Sequence, residues 1–272
     1  MKRRYVALAL VAFVLALPGS AADALTADEV LDRMEAEADR VAEGSLVAVI
    51  RFDNAYADGT TVTNRFGSLS KPKRSLICFL EPEDVAGTVF LTHEAESDGE
   101  SARLWLYLPL LGLPKELISD DERGGSFAGS ALSYEDIGQG DRRSDYTAEL
   151  IEQTSLAVGG QTRAAYVIES VLKPGIVAET SRTILWVDSE FFTLLKMEAY
   201  NDLGRIASTM EVVALGAFEG RLVGDSLLAV DVASGNRTTV TFESRHRPDM
   251  DIPETAFAPE NLGLFDPSAW GF

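Results

Sequence analysis

The stretch Ser45-Leu46-Val47-Ala48-Val49-Ile50-Arg51-Phe52-Asp53 decides the fold class, together with the stretch at 60–69 that follows it. Leu46, Ala48, Ile50 and Phe52 recur at every second position, and a period of two is typical of a β-strand. Asp58-Gly59 between the two stretches is a turn signal. The pattern therefore predicts a long β-hairpin, and the same period continues through most of the chain after it.

On the N-terminal side of the hairpin the period changes to that of a helix. Thr26, followed by the acidic pair Asp28-Glu29, is typical of a helix N-terminus, and apolar residues then recur along one face. Gly44 is a natural stop. We expect this helix to run to about Ala42.

The first 24 residues have the layout of a secretory signal peptide. Lys2-Arg3-Arg4 precedes an apolar run at 5–17, and small residues follow Pro18-Gly19. The run is shorter than the roughly 20 apolar residues that span a bilayer, which favours cleavage over a membrane anchor. We therefore expect residues 1–24 to be a cleaved leader, the product to be exported, and residues 25–272 to form a single domain.

After the hairpin, further strand-like stretches bring the predicted total to about ten to twelve. Residues 109–145 interrupt the alternation and are predicted to be irregular, with a short helical turn at 133–137, and the end of the chain from 251 is predicted to be largely irregular. That many hairpin-linked strands predict a mainly β (α+β) fold. We expect the strands to form a single large curved antiparallel sheet, closed or half closed, because flat sheets of this width curl or split.

Composition excludes several classes of function. Only 24 Lys+Arg face 43 Asp+Glu, for a net charge of −19, which argues against binding to nucleic acid or to anionic lipid headgroups. One cysteine and two histidines leave few ligands for a metal. Cys78 lies in an apolar strand and is expected to be buried and inert, and His93 and His246 are expected to be structural or surface histidines. No catalytic serine motif is present, so we expect neither an enzyme nor a cofactor.

What remains is apolar surface on both faces of the predicted sheet. In the strand at 103–108, leucines occupy one face while Trp105 and Tyr107 occupy the other, and Trp186 lies in a similar strand. Such a sheet is either covered on both faces, with a core filled by its own side chains, or covered on one face and open to a ligand on the other. The pattern leaves both interpretations open.

Six blocks of the chain have a recognisable order and spacing: Glu81-Pro82-Glu83-Asp84-Val85-Ala86-Gly87-Thr88-Val89-Phe90-Leu91, Leu104-Trp105-Leu106-Tyr107-Leu108-Pro109, Gly125-Ser126-Phe127-Ala128-Gly129-Ser130, Ser133-Tyr134-Glu135-Asp136, Trp186-Val187-Asp188 and Lys196-Met197-Glu198-Ala199-Tyr200. These blocks resemble those of the "outer membrane lipoprotein-sorting protein" family, the relatives of the lipoprotein carrier LolA. The chain departs from the family at 110–116, where members carry a basic stretch after Leu-Pro, and at Ala131, where they carry Asp.

The resemblance implies an incomplete β-barrel around an apolar cavity, partly lidded by helical and irregular segments. It also implies a monomeric periplasmic carrier of lipid or lipoprotein acyl chains, in some cases beside an RND/MMPL-type transporter. Under this hypothesis the ligand-binding or lid residues are Trp105, Tyr107, Phe127, Tyr134 and Trp186. The block at 133–136 offers a tyrosine hydroxyl and two carboxylates, and we expect it to have a structural role, anchoring the long loop to the sheet by hydrogen bonds. Two alternatives remain: a structural or accessory partner of an RND/MMPL-type transporter without a lipid cargo, and a hydrolase of envelope material.

Overall fold

The structure is a computed structural model that describes residues 25–97, 100–138 and 143–272. The predicted leader lies outside these residues. Within them the chain forms three α-helices, 13 strands and several short 3-10 turns. The helices are α1 (Ala27–Ala42), α2 (Asp120–Arg123) and α3 (Tyr134–Gly138). The strands are β1 (Leu46–Ala55), β2 (Thr61–Lys71), β3 (Arg74–Glu81), β4 (Val89–His93), β5 (Arg103–Tyr107), β6 (Pro114–Glu116), β7 (Tyr146–Val158), β8 (Gln161–Leu172), β9 (Arg182–Asp188), β10 (Leu194–Tyr200), β11 (Ile206–Phe218), β12 (Arg221–Asp231) and β13 (Arg237–His246).

All 13 strands belong to one antiparallel sheet in the order β6-β5-β4-β3-β2-β1-β13-β12-β11-β10-β9-β8-β7. Two meanders, β1–β6 and β7–β13, therefore join where β1 pairs with β13, for example at Phe52 opposite Val240. Among the described residues β6 and β7 remain the free edges, so the sheet curves without closing. This confirms the predicted incomplete barrel.

The C-terminal segment, residues 251–272, covers one face of the first meander. Ile252, Phe257 and Leu262 are buried there against β1–β5. Gly67 in β2 permits the close approach of the chain end, because a Cβ at that position would lie 2.3 Å from the ring of Phe272. Lys71 holds the start of the segment, donating from Nζ to carboxylates of this segment. The stretch predicted to be irregular is thus built from 3-10 turns and serves as a cover.

Helix α1 covers the part of the sheet formed by β8 and β9, in the second meander. The Thr26 side chain accepts from the backbone N–H of Glu29, whose carboxylate accepts from the Thr26 N–H, which fixes the helix start as the sequence predicts. Val30 and Leu31 are buried in a cluster formed with β8 and β9. The helix ends at Ala42, where the sequence predicts that it ends.

Two parts of the strand prediction were wrong. Residues 109–145 were predicted to contain only a helical turn, but they also contain strand β6 and helix α2. The alternation in the sequence predicts strands at 206–215 and 227–232, but the β11–β12 hairpin continues to a turn at Glu219-Gly220. These two residues adopt φ values of 50° and 77° and form a tight turn. Gly216 and Gly224 interrupt the apolar alternation there, so the period of two fades while the pairing continues.

Asp188 is the acidic group most deeply enclosed in the second meander. It is 1% exposed, and its carboxylate accepts from Nε and Nη2 of Arg163 at 2.7 and 3.0 Å. It also accepts from the backbone N–H groups of Glu190 and Phe191. Burial raises the pKa of Asp188, but the Arg163 and backbone hydrogen bonds outweigh burial, and the pKa lies below its ordinary value.

This ion pair leads to a pH-dependent stability prediction. The pKa of Asp188 is lower in the folded protein than in the unfolded chain, where it is about 3.9. The stabilisation that the ionised carboxylate gives the fold is therefore fully present above this unfolded-state pKa, and it is lost as the pH falls through the folded-state pKa. Asp188→Asn is expected to lower the free energy of unfolding by about 2 kcal/mol at neutral pH, and by less as the pH falls. Urea unfolding at several pH values measures this. An unchanged difference at acid pH would contradict the assignment.

Cys78 is free and 1% exposed, in the cluster under the C-terminal segment. Burial raises the pKa of its thiol to about 11. The sequence-based expectation of a buried thiol is therefore met, and the thiolate needed for nucleophilic chemistry is disfavoured.

Candidate functional site

Residues 117–138, which we call the lid, lie over the face of the sheet opposite the C-terminal segment. Phe127 is the centre of the contact and is fully buried. Its ring lies among five aromatic rings at centroid distances of 5.3–5.9 Å. Those rings are Phe52, Phe66, Phe79, Phe90 and Tyr134.

The backbone of the lid forms a closed loop that presents Phe127 to the sheet. The Phe127 N–H donates to the carbonyl of Leu132 at 2.8 Å, and the Tyr134 N–H donates to the carbonyl of Gly125 at 3.0 Å. Between these bonds the chain reverses through two residues at positive φ, Ala128 at 51° and Gly129 at 73°. Glycine is suited to this turn because a left-handed backbone there carries no side-chain penalty.

Three buried polar residues fasten the lid to β1, β2 and β13. The Ala131 N–H donates to Oγ1 of Thr238 at 2.8 Å, and the Thr238 hydroxyl donates to Oδ1 of Asn54 at 2.7 Å. Asn64 donates from Nδ2 to the carbonyl of Ala128 at 3.2 Å. Buried hydrogen bonds of this kind fix the position of the middle of the lid, next to Phe127.

The lid and the sheet enclose a cavity of about 320 Å³. This volume is within the range of small-molecule binding sites. The lid contributes Phe127, Ala131, Leu132, Asp136 and Ile137, and the sheet contributes Ile50, Phe52, Phe66, Ile77, Met197, Ser208, Thr209, Met210, Leu227, Ala229, Val240 and Phe242.

The wall of the cavity is almost entirely apolar. Its polar members are Asp136, Ser208 and Thr209, and Asp136 is exposed at the margin of the lid. Met197 belongs both to this wall and to the cluster under α1, so the cavity reaches from the aromatic cluster towards α1. Methionine side chains are flexible and adapt to irregular apolar ligands.

The Ser133-Tyr134-Glu135-Asp136 block starts helix α3. The Asp136 carboxylate accepts from the Ser133 N–H at 2.8 Å, and the Asp136 N–H donates to the Ser133 hydroxyl at 3.0 Å. Glu135 lies 3.8 Å from the guanidinium of the buried Arg123. The expectation that this block anchors the lid to the sheet by hydrogen bonds is therefore wrong, because its hydrogen bonds stay within the lid. The contact with the sheet is made instead by the ring of Tyr134, which packs on Phe90.

The five predicted site residues do not lie together. Phe127 lines the cavity and Tyr134 packs on Phe127. Trp105 and Tyr107 lie on the opposite face, under the C-terminal segment, where Trp105 contacts His93. Trp186 lies apart from the cavity wall, with the ammonium group of Lys196 at 4.5 Å from its ring centre.

Sequence reasoning missed most of the wall, above all the residues from β10 to β13. Met210, Leu227 and Ala229 read as ordinary members of strands with a period of two. Met210 pairs with Ala229, so both side chains lie on the same face of the sheet. The sequence does not show this, because the register between two strands is set by their pairing in the folded chain.

Metal-binding clusters and membrane-spanning helices are two features that the described residues lack. Within residues 25–97, 100–138 and 143–272, no group of three or more His, Cys, Asp or Glu side chains is arranged to hold a metal ion. No helix in the described part of the chain is both long and apolar enough to cross a membrane.

A family model described as "Uncharacterized protein" matches residues 71–263, which include the lid and most of the cavity wall. The chain belongs to this family. No curated protein matches the chain.

Solved structures share the fold. A DUF1329 family protein from Desulfovibrio piger has a TM-score of 0.75 at 22% identity, with 87% of this chain and 98% of that chain covered. An outer membrane lipoprotein-sorting protein domain from Vibrio parahaemolyticus has a TM-score of 0.71 at 21% identity, covering 86% and 97%. A LolA superfamily protein from Nitrosomonas europaea has a TM-score of 0.65 at 21% identity, covering 86% and 98%. The fold is therefore LolA-like, as the sequence resemblance indicates.

Proposed function

We propose that this protein is a non-enzymatic periplasmic carrier that binds lipid or lipoprotein acyl chains in the cavity under the lid. The observation that carries the proposal is the cavity itself, about 320 Å³ in volume and lined almost wholly by apolar side chains. The LolA-like fold, shared with a lipoprotein-sorting protein domain, supports the same reading. A periplasmic location is proposed from the predicted leader and from this fold.

The physical chemistry of the wall suits an acyl chain. Each methylene moved from water into such a cavity contributes about 0.8 kcal/mol of favourable free energy. An acyl chain has no hydrogen bonds to satisfy, so the scarcity of donors and acceptors in the wall costs nothing. Carrying the chain requires no nucleophile, and the thiol of Cys78 lies on the opposite face of the sheet.

The charge of the wall argues against a ligand with an anionic head. Asp136 is the charged residue in the wall, and neither lysine nor arginine contributes to it. An anionic head beside this carboxylate is repelled, whereas an ester or amide head is not. Ser208 lies on the same face of β11 as Met210 and supplies a hydroxyl group to which the carbonyl of such a head can bond.

The test is a titration of the protein with two pyrene-labelled long-chain probes at neutral pH, a methyl ester and the corresponding free acid. We expect saturable binding of both, with the ester bound several-fold more tightly, because like charges weaken the binding of the acid. Asp136→Asn is expected to remove this preference while retaining an oxygen for the Ser133 N–H. Asp249→Asn, an exposed change elsewhere, serves as the control.

The outcomes separate the two parts of the proposal. If neither probe binds, the carrier function is wrong. If ester and acid bind equally well, the cavity still binds acyl chains but the assignment of an uncharged head is wrong.

A further inference from the structure

The loop between β5 and β6, residues 108–113, exposes a group of leucines that the fold does not use. We call it the tip loop. Leu110, Leu111 and Leu113 are 99%, 62% and 71% exposed, and Leu108 is 37% exposed. No charged residue lies between Tyr107 and Lys115. Several large apolar side chains exposed side by side mark an interaction surface.

The backbone of the tip loop is turned inward. The N–H groups of Leu111 and Gly112 both donate to the carbonyl of Leu108, at 2.9 and 3.1 Å. Pro109 and Pro114 have no N–H group to satisfy. The loop therefore exposes fewer unpaired donors than an open loop of this length, which suits shallow insertion at the boundary between headgroups and acyl chains, where water remains within reach.

The size and shape of the tip loop favour a lipid bilayer over a protein partner. A stable protein interface buries about 800 Å² on each partner, which six residues in a tight turn cannot provide. Insertion of a few leucines at the boundary between headgroups and acyl chains needs much less area and gives reversible attachment.

The charges near the tip loop define the kind of bilayer. The turn at 82–87 lies against it, since a Cβ at Gly87 would be 3.4 Å from Pro109, and this turn exposes Glu83 and Asp84. The chain as a whole carries a net charge of −19. Both the carboxylates beside the tip loop and the net charge of the chain would repel an anionic membrane surface, whereas neither would repel a zwitterionic one.

From these observations we propose that the protein docks on zwitterionic lipid bilayers by inserting the leucines of the tip loop. This inference goes beyond cargo binding, because the tip loop does not contribute to the cavity wall and its role does not depend on what the cavity holds.

The experiment measures co-flotation of the protein, as isolated from its own envelope, with phosphatidylcholine vesicles. We expect the wild type to float with the vesicles, and the double variant Leu110→Asp, Leu111→Asp to bind at least tenfold more weakly. Both side chains are exposed, so the fold tolerates the change. Leu203→Asp is the matched control, because Leu203 is 74% exposed in the turn between β10 and β11 and is expected to leave binding unchanged.

Two further measurements locate and characterise the contact. Fluorescence of Leu110→Trp is expected to shift to the blue with phosphatidylcholine vesicles and to be quenched by lipids brominated on the acyl chain. Replacing phosphatidylcholine by phosphatidylglycerol is expected to weaken binding at low salt, with partial recovery as salt is added.

Three results would overturn the inference: no flotation of the wild type with phosphatidylcholine, equal losses in the tip-loop and Leu203 variants, or stronger binding to phosphatidylglycerol at low salt. Sedimentation showing a dimer that the double variant dissociates, without vesicle binding, would instead assign the tip loop to a second copy. Acyl-probe binding, measured on the same samples, reports separately on the proposed function.

Discussion

Phe127→Ala is expected to lower the free energy of unfolding by about 3–5 kcal/mol. The ring is fully buried and contacts five other aromatic rings. Truncation loses both the transfer free energy of the ring and the packing around the space it leaves, since the lid is fastened by separate hydrogen bonds and cannot simply collapse. Denaturant unfolding measures the change.

A graded series separates the role of the ring from a general effect of substitution. Phe127→Leu keeps much of the volume and is expected to cost less than half as much. Phe191→Ala removes the same side chain from a half-buried site under Arg163 and is expected to cost about 1 kcal/mol. A loss in Phe127→Ala no larger than that of Phe191→Ala would show that Phe127 does not hold the lid.

Ala229→Phe is expected to weaken binding of the uncharged acyl probe more than tenfold without unfolding the protein. Ala229 is 2% exposed in β12 and belongs to the cavity wall, so a larger side chain there occupies the space of the ligand. Displacing as few as two methylenes costs about 1.6 kcal/mol, which is more than a factor of ten in affinity.

The stability of this variant distinguishes a blocked cavity from a damaged fold. Because the new ring fills an existing void, the free energy of unfolding is expected to stay within about 1 kcal/mol of the wild-type value. Ala233→Phe, the same change at an exposed position of the turn after β12, is expected to alter neither quantity. Undiminished probe binding by a folded Ala229→Phe protein would place the ligand elsewhere.

The fold could be predicted to a large extent because its signals are local. The capping pattern at Thr26 and the alternation around Phe52 depend on neighbouring residues, and both elements occur as predicted. Strand β6 was missed because it has only three residues, Pro114–Glu116, and it depends on its pairing with β5. The C-terminal segment lacks periodicity, so its role as a cover was not visible before the fold was known.

The candidate site was predicted less well because alternation shows that two faces differ without showing which face is which. Trp105 and Leu104 lie on opposite faces of β5, and the sequence does not identify the one covered by the C-terminal segment. Phe127 was chosen from the family resemblance, and it is the one predicted site residue in the cavity wall. Met210 and Ala229 come together only through the pairing of β11 with β12.

Native mass spectrometry of the protein isolated from its own envelope shows directly whether the cavity carries a ligand, with Ala229→Phe isolated in parallel. The wild type is expected to carry the additional mass of a lipid or a lipid-modified peptide, and Ala229→Phe is expected to be recovered folded with little or none of it. Recovery of both proteins at the mass of the bare polypeptide, or with equal loads of the same ligand, would contradict the proposed binding in the cavity.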